Sequence, residues 1–176
     1  DYFLSYESDV IPNKDDLKLL KEGMDESKSD IIAGVVPYSD SSTMLYKHLC
    51  GNLKDEYGPP VEFHSLPSTC GGKIFYLDLY CEKYTKAKWQ VEASVYEIPE
   101  IDQKTRPFEV AGCALGFTLI KRNVIEKIPF RMHPESIAFA DVWFSWDAKR
   151  SGFKICCHPN VRPKHLWKKW EPERLR

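Results

Sequence analysis

Glu7 and Asp9, two carboxylates one residue apart, follow directly on the strand-forming run Tyr2-Phe3-Leu4-Ser5-Tyr6. A strand that ends on carboxylates offers hard oxygen donors of the kind a divalent cation takes. The same triplet, Glu7-Ser8-Asp9, also serves as an ordinary turn and helix start. Asp141 opens a helix-like segment, where a carboxylate either accepts a proton in chemistry or caps free backbone amides. His165 stands alone near the C-terminus, a nitrogen ligand or an ordinary surface or core histidine. Cys156, Cys157 and His158 are consecutive. In a strand such residues alternate faces and do not converge on one tetrahedral ion, so they read as core.

The elements that would position these groups are legible in outline. Residues 2–6 predict a strand, and the spacing of Leu17, Leu19, Leu20 and Met24 predicts a helix from Asp15 or Asp16, with Gly23 near its end. The run from Asp30 to Pro37 is continuously apolar, as in a strand buried on both faces. Residues 38–72 are punctuated by glycine and proline around one expected helix near 42–49. Residues 73–81 and 88–98 predict an antiparallel pair of strands, and residues 99–107 a charged connection. The run Val110 to Ile120 is small-residue-rich and apolar, followed by a short helix over 121–128. A helix over 141–150 stops at Ser151-Gly152, and a strand covers 153–157. Trp143, Phe144 and Trp146 fit a core, and Gly112 and Gly116 fit turns or close packing.

Bulk properties bound the answer. A chain of 176 residues with 43% hydrophobic residues buries one sizeable core, so residues 1–176 read as a single domain. Lys plus Arg number 25 against 26 for Asp plus Glu, and the net charge of -1 exerts no general pull on nucleic acid or an acidic membrane. No apolar run is long enough to span a bilayer. Six cysteines without a CxxC pair read as reduced thiols. Residues 162–176 read as a flexible tail with Trp167 and Trp170 among Lys168, Lys169, Arg174 and Arg176, a solvated face or one that meets a diphosphate or an anionic lipid. The chain opens at Asp1 directly on a strand-like run and reads as part of a longer protein.

Three segments, in this order, resemble the family-2-like glycosyltransferases of the A-type fold. Phe3-Leu4-Ser5-Tyr6-Glu7-Ser8-Asp9 is similar to the strand entering the DxD motif, with Glu in its first place. Gly112-Cys113-Ala114-Leu115-Gly116-Phe117-Thr118 is similar to the family's glycine-containing acceptor segment. Phe139-Ala140-Asp141-Val142-Trp143-Phe144 resembles its Glu-Asp helix, and His165 falls where many relatives carry a histidine.

The resemblance implies an α/β fold with a mixed sheet flanked by helices, and transfer of a sugar from a nucleotide-diphosphate donor to a glycan, lipid-linked or protein acceptor. It assigns Glu7, Asp9 and His165 to Mn2+ or Mg2+, Asp141 to the base, and Gly112, Cys113 and Trp143 to the acceptor. Asp9 is the better direct ligand, since Glu7 carries an extra methylene, and a nitrogen from His165 favours Mn2+. The expected setting is cytoplasmic, with peripheral membrane contact through the tail and no nucleic acid. Two departures stand out. Ala140 occupies the usual Glu position, and the base-binding elements that precede the DxD strand in relatives have no counterpart before Asp1. They give weight to a noncatalytic glycan-binding or scaffolding relative. A two-carboxylate glycoside hydrolase explains the metal-type triplet less well.

Overall fold

The apolar runs become the centre of a mixed sheet because they have apolar partners on both faces. The structure is a computed structural model that describes residues 1–37, 42–51, 75–77, 91–130 and 140–166. In chain order its elements are β1 (Tyr2–Tyr6), β2 (Val10–Ile11), α1 (Asp16–Ser27), β3 (Ile31–Ala33), β4 (Ser42–Gly51), β5 (Phe75–Leu77), β6 (Val91–Glu97), α2 (Ile98–Asp102), β7 (Phe108–Glu109), β8 (Gly112–Cys113), β9 (Phe117–Lys121), α3 (Arg122–Lys127), α4 (Ala140–Arg150), β10 (Ile155–Cys157) and β11 (Lys164–His165). Five strands lie in the order β1-β9-β3-β10-β7, with β3 and β10 parallel and the other neighbours antiparallel. A four-stranded antiparallel sheet runs β5-β6-β4-β8, and β11 pairs with β2 alone.

Alternation along the central strands divides the core. Ile31, Ala33, Ile120, Ile155 and Cys157 pack on one face with Val124 of α3 and Phe144 and Ala148 of α4. Ile32, Phe117, Leu119 and Cys156 pack on the other with Leu20 and Met24 of α1. Cys156 and Cys157 thus point to opposite faces as free, buried thiols, and no metal cluster forms there. Burial pushes the Cys157 thiol well up and that of Cys156 up, which keeps both protonated. His158 is buried as well, which pulls its pKa down, and its Nδ1 accepts from the Asn160 N–H at 3.3 Å.

Two segments differ from the sequence expectation. Residues 42–51, expected as a helix near 42–49, form β4, paired with β6 and β8. Thr43, Leu45, Tyr46 and Lys47 are all buried, and register shifts between Ser42 and Tyr46 and between Tyr46 and His48 break the two-residue alternation that marks a strand in sequence. The charged connection holds α2, begun by a capping box in which the Glu97 side chain takes the Glu100 amide and Glu100 Oε2 takes the Glu97 N–H at 2.9 Å. Glutamate is an uncommon cap, so the sequence signal is weak. Glu100 also binds the buried Lys47 ammonium at 2.5 Å, which secures α2 against β4.

Burial on both faces has a direct consequence. Ile31→Ala and Ile32→Ala remove side chains from opposite faces, and each is expected to cost about 2–5 kcal/mol. Leu17→Ala, on the exposed side of α1, is expected to change stability by less than about 0.5 kcal/mol. Urea titration of the three variants measures this; a small loss for either isoleucine would mean that its face is not packed.

Candidate metal and acid-base site

The site begins where β1 ends. The Glu7 N–H donates to the Gly116 carbonyl at 3.0 Å, and the Val10 N–H to the Glu7 carbonyl at 3.2 Å, so residues 7–10 form a turn anchored on the bend before β9. Ser5 Oγ donates to the Leu115 carbonyl at 2.6 Å and ties the strand to the same bend. A Cβ at position 116 would lie 3.0 Å from Glu7 Oε2, so glycine leaves the Glu7 carboxylate its room.

From the other end of the chain, β11 pairs with β2 and brings His165 opposite Val10. The Leu166 N–H donates to the Asp9 carbonyl at 2.9 Å. His165 Nδ1 lies 2.7 Å from the Pro37 carbonyl, and its Nε2 3.2 Å from Asp9 Oδ2. A carbonyl only accepts, so Nδ1 carries a proton. Nε2 thereby faces the Asp9 carboxylate. Glu7, Asp9 and His165 each present a ligand atom, and these atoms lie within 4.8 Å of one another. Two carboxylates and an imidazole oriented by a backbone carbonyl are a fitting donor set for a divalent ion, with nitrogen favouring Mn2+ over Mg2+.

Asp141 sits in the first turn of α4, mostly buried. Burial pushes its carboxyl up to about 6, the Val142 N–H bond to Oδ1 at 2.8 Å works against this, and the Glu7 carboxylate raises it further. The structure therefore brings Asp141 within electrostatic reach of the metal turn. Its backing is tightly packed. Gly112 lies between Ser145 and Tyr46, where a Cβ would come within 2.7 Å of Ser145 Cβ. Cys113, fully buried, receives a hydrogen bond from Ser145 Oγ on its carbonyl at 3.3 Å and donates its N–H to Ser145 Oγ at 3.1 Å. Its thiol is pushed up to about 12, first by burial and then by Asp141, which keeps it protonated. Trp143 is buried within α4. Gly112, Cys113 and Trp143, the residues expected on the acceptor side, are all buried.

Tyr46 is the site residue that sequence reasoning missed. Its hydroxyl is buried with no hydrogen-bond partner among the described residues, and burial followed by the charge of Asp141 raises its pKa. The broken alternation of β4 left it without a sequence signal. Residues 167–176, which include most of the expected basic tail, lie outside the described residues. Among the described residues, no helix is long and apolar enough to cross a membrane.

No family model and no curated protein matches this chain. Among solved structures, A197 from STIV aligns at 20% identity over 94% of this chain and 57% of its own length, with a TM-score of 0.43. The chain thus spans little more than half of that structure, a likeness too distant to bear on function.

Two variants probe the geometry. Gly116→Ala crowds the flexible end of Glu7 and is expected to leave folding stability nearly unchanged while weakening Mn2+ binding about 10- to 100-fold, as measured by titration calorimetry. For Asp141 the folded pKa is about 6 against an ordinary 3.8. Its stabilising contribution is present below the lower value and is lost as pH rises through the upper, at a cost of about 3 kcal/mol by pH 8. Asp141→Asn is therefore expected to be more stable than the parent at pH 8 by about 2–3 kcal/mol, with the difference shrinking toward pH 4. Urea midpoints across this range decide; a variant less stable at pH 8 would make Asp141 a helix-stabilising residue.

Proposed function

We propose that this chain is the metal- and acceptor-side part of a nucleotide-sugar-dependent glycosyltransferase of the A-type fold, with Glu7, Asp9 and His165 as metal ligands and Asp141 as general base. The observation that carries the reading is the meeting of the Glu7-x-Asp9 turn with His165, 156 residues beyond Asp9, near a buried carboxylate of raised pKa. A bound divalent ion supplies charge neutralisation for the departing diphosphate. Asp9 and Glu7 give it oxygen ligands, while the Pro37 carbonyl holds His165 in the tautomer that leaves Nε2 unprotonated. Asp141, with a pKa near 6, is largely ionised at neutral pH and more basic than an ordinary carboxylate. It suits removal of the proton from an attacking acceptor hydroxyl. A base on a different element from the ligands suits attack opposite the leaving group, as inversion requires.

Among the described residues β1 is an edge strand, and its Tyr2, Phe3, Leu4 and Tyr6 are exposed by 38–53%. The donor would be a nucleotide sugar and the acceptor a glycan, lipid-linked or protein hydroxyl, in a cytoplasmic setting at the membrane surface. A second reading, a noncatalytic glycan-binding relative, is favoured by Ala140 at the position where the family carries Glu.

Transfer and hydrolysis assays of the intact protein with a panel of nucleoside diphosphate sugars and Mn2+ separate these readings. Asp141→Asn is expected to lower turnover about 100- to 10,000-fold with donor affinity nearly unchanged, and Asp9→Asn to weaken metal-dependent donor binding. Full turnover by Asp141→Asn would remove the base assignment. Glycan binding without any Mn2+-dependent turnover in the parent protein would establish the second reading.

A further inference from the structure

The segments that meet at the metal turn are joined by little besides the site itself. β2 and β11 pair over two residues each, Val10 with His165 and Ile11 with Lys164, in a ladder that joins neither larger sheet. Two-stranded pairings of this kind are marginal in water. Apolar anchorage is one-sided, for Val10 is fully buried whereas Ile11 and Lys164 are exposed. The chain just upstream is fastened independently. Val161 is buried and its carbonyl accepts the Val35 N–H at 2.8 Å, while Arg162 reaches Asp102 at 2.6 Å and the Pro159 carbonyl at 2.8 Å. Among the described residues, the position of residues 164–166 rests on the short ladder, on the Leu166 N–H bond to Asp9, and on the ring of His165.

That ring is committed on both sides. Nδ1 lies against the Pro37 carbonyl, and Nε2 is 3.2 Å from Asp9 Oδ2 with the Glu7 carboxylate beside them, the three ligand atoms falling within 4.8 Å of one another. A cation among these atoms would make three bonds, one of them from β11 and two from the turn at the end of β1.

The geometry points to a second role for the ion, resting on the metal reading above: it is the fastener that holds β11 on β2, so that occupancy of the site and docking of residues 164–166 form one equilibrium. The ion thereby joins the two ends of the described chain, and its loss frees the C-terminal strand while the two larger sheets persist.

Hydrogen exchange tests this at pH 8. The 176-residue chain is stripped of metal and compared with and without MnCl2, with bound Mn2+ followed in parallel by the electron paramagnetic resonance of the free ion. At free Mn2+ ten times its Kd, the Leu166 amide is expected to exchange about 10-fold more slowly, with β3 and β9 unchanged. Asp9→Asn keeps the backbone carbonyl that accepts from Leu166, and is expected to lose the slowing caused by Mn2+. Mn2+ that binds without changing Leu166 exchange would overturn the fastener and leave the metal reading intact. Equal slowing in β3 and β9 would also overturn it, since the ion would then stabilise the whole fold. No Mn2+ binding would overturn both.

Discussion

The register of β9 is the constraint on which both the core and the site depend. This strand lies antiparallel between β1 and β3, with Ile120 opposite Phe3 on one side and Ile31 on the other. A slip of one residue would exchange the faces of Phe117 and Leu119 with those of Thr118 and Ile120 and place each set against the wrong layer. It would also move the carbonyl of Gly116 away from the Glu7 N–H. The bond that seats the metal turn is thus enforced by apolar packing on both faces of the sheet. Burial of one side chain of this size is worth about 1.5–3 kcal/mol, more than the single hydrogen bond that seats Glu7 contributes.

The site concentrates negative charge where the fold gives it little relief. Two carboxylates and the His165 ring lie together, and a third carboxylate, that of Asp141, is raised by burial and by Glu7. Charges separated by such distances repel by roughly 1 kcal/mol in water and several times more where solvent is excluded. Glu7 is exposed and its share is well screened, whereas Asp141 is not. Among the described residues His165 faces Asp9 at 3.2 Å and Asp141 takes the Val142 N–H at 2.8 Å. Lys47 pairs with Glu100, Lys121 with Asp30 and Lys149 with Glu109. The proposed divalent cation would bring positive charge to this cluster.

What could be read from the sequence was what local pattern dictates. β1, α1, β3, α3, α4 and β10 follow from apolar runs and helical spacing, since each is packed along its length against the sheet or within it. β4 was concealed by two register shifts, and with it Tyr46. α2 was concealed by a cap built on glutamates. At the site, Glu7 and Asp9 were visible as a motif, but the arrival of His165 depends on a two-residue ladder closed across the whole chain, which no local period encodes. Gly112, Cys113 and Trp143 show the converse difficulty. Small and aromatic residues suit a ligand surface and a packed interior equally, and all three are buried here.

Small residues set how closely Asp141 and the turn at Glu7 approach. The metal turn hangs from the five-stranded sheet, while Asp141 rides on α4, which packs through Ser145 onto β8 of the four-stranded sheet. The two assemblies share the bend over residues 112–116, and a glycine stands at each of its ends. At position 112 a side chain would drive α4 off β8 by striking Ser145 Cβ, and at position 116 it would push Glu7 outward. Either change would alter the spacing between Asp141 and the turn at Glu7, at position 112 through Ser145 and at position 116 through Glu7 itself. That spacing is therefore held by the absence of two side chains, rigidly at 112, where the obstacle is the Cβ of Ser145, and more adjustably at 116, where it is the flexible end of Glu7.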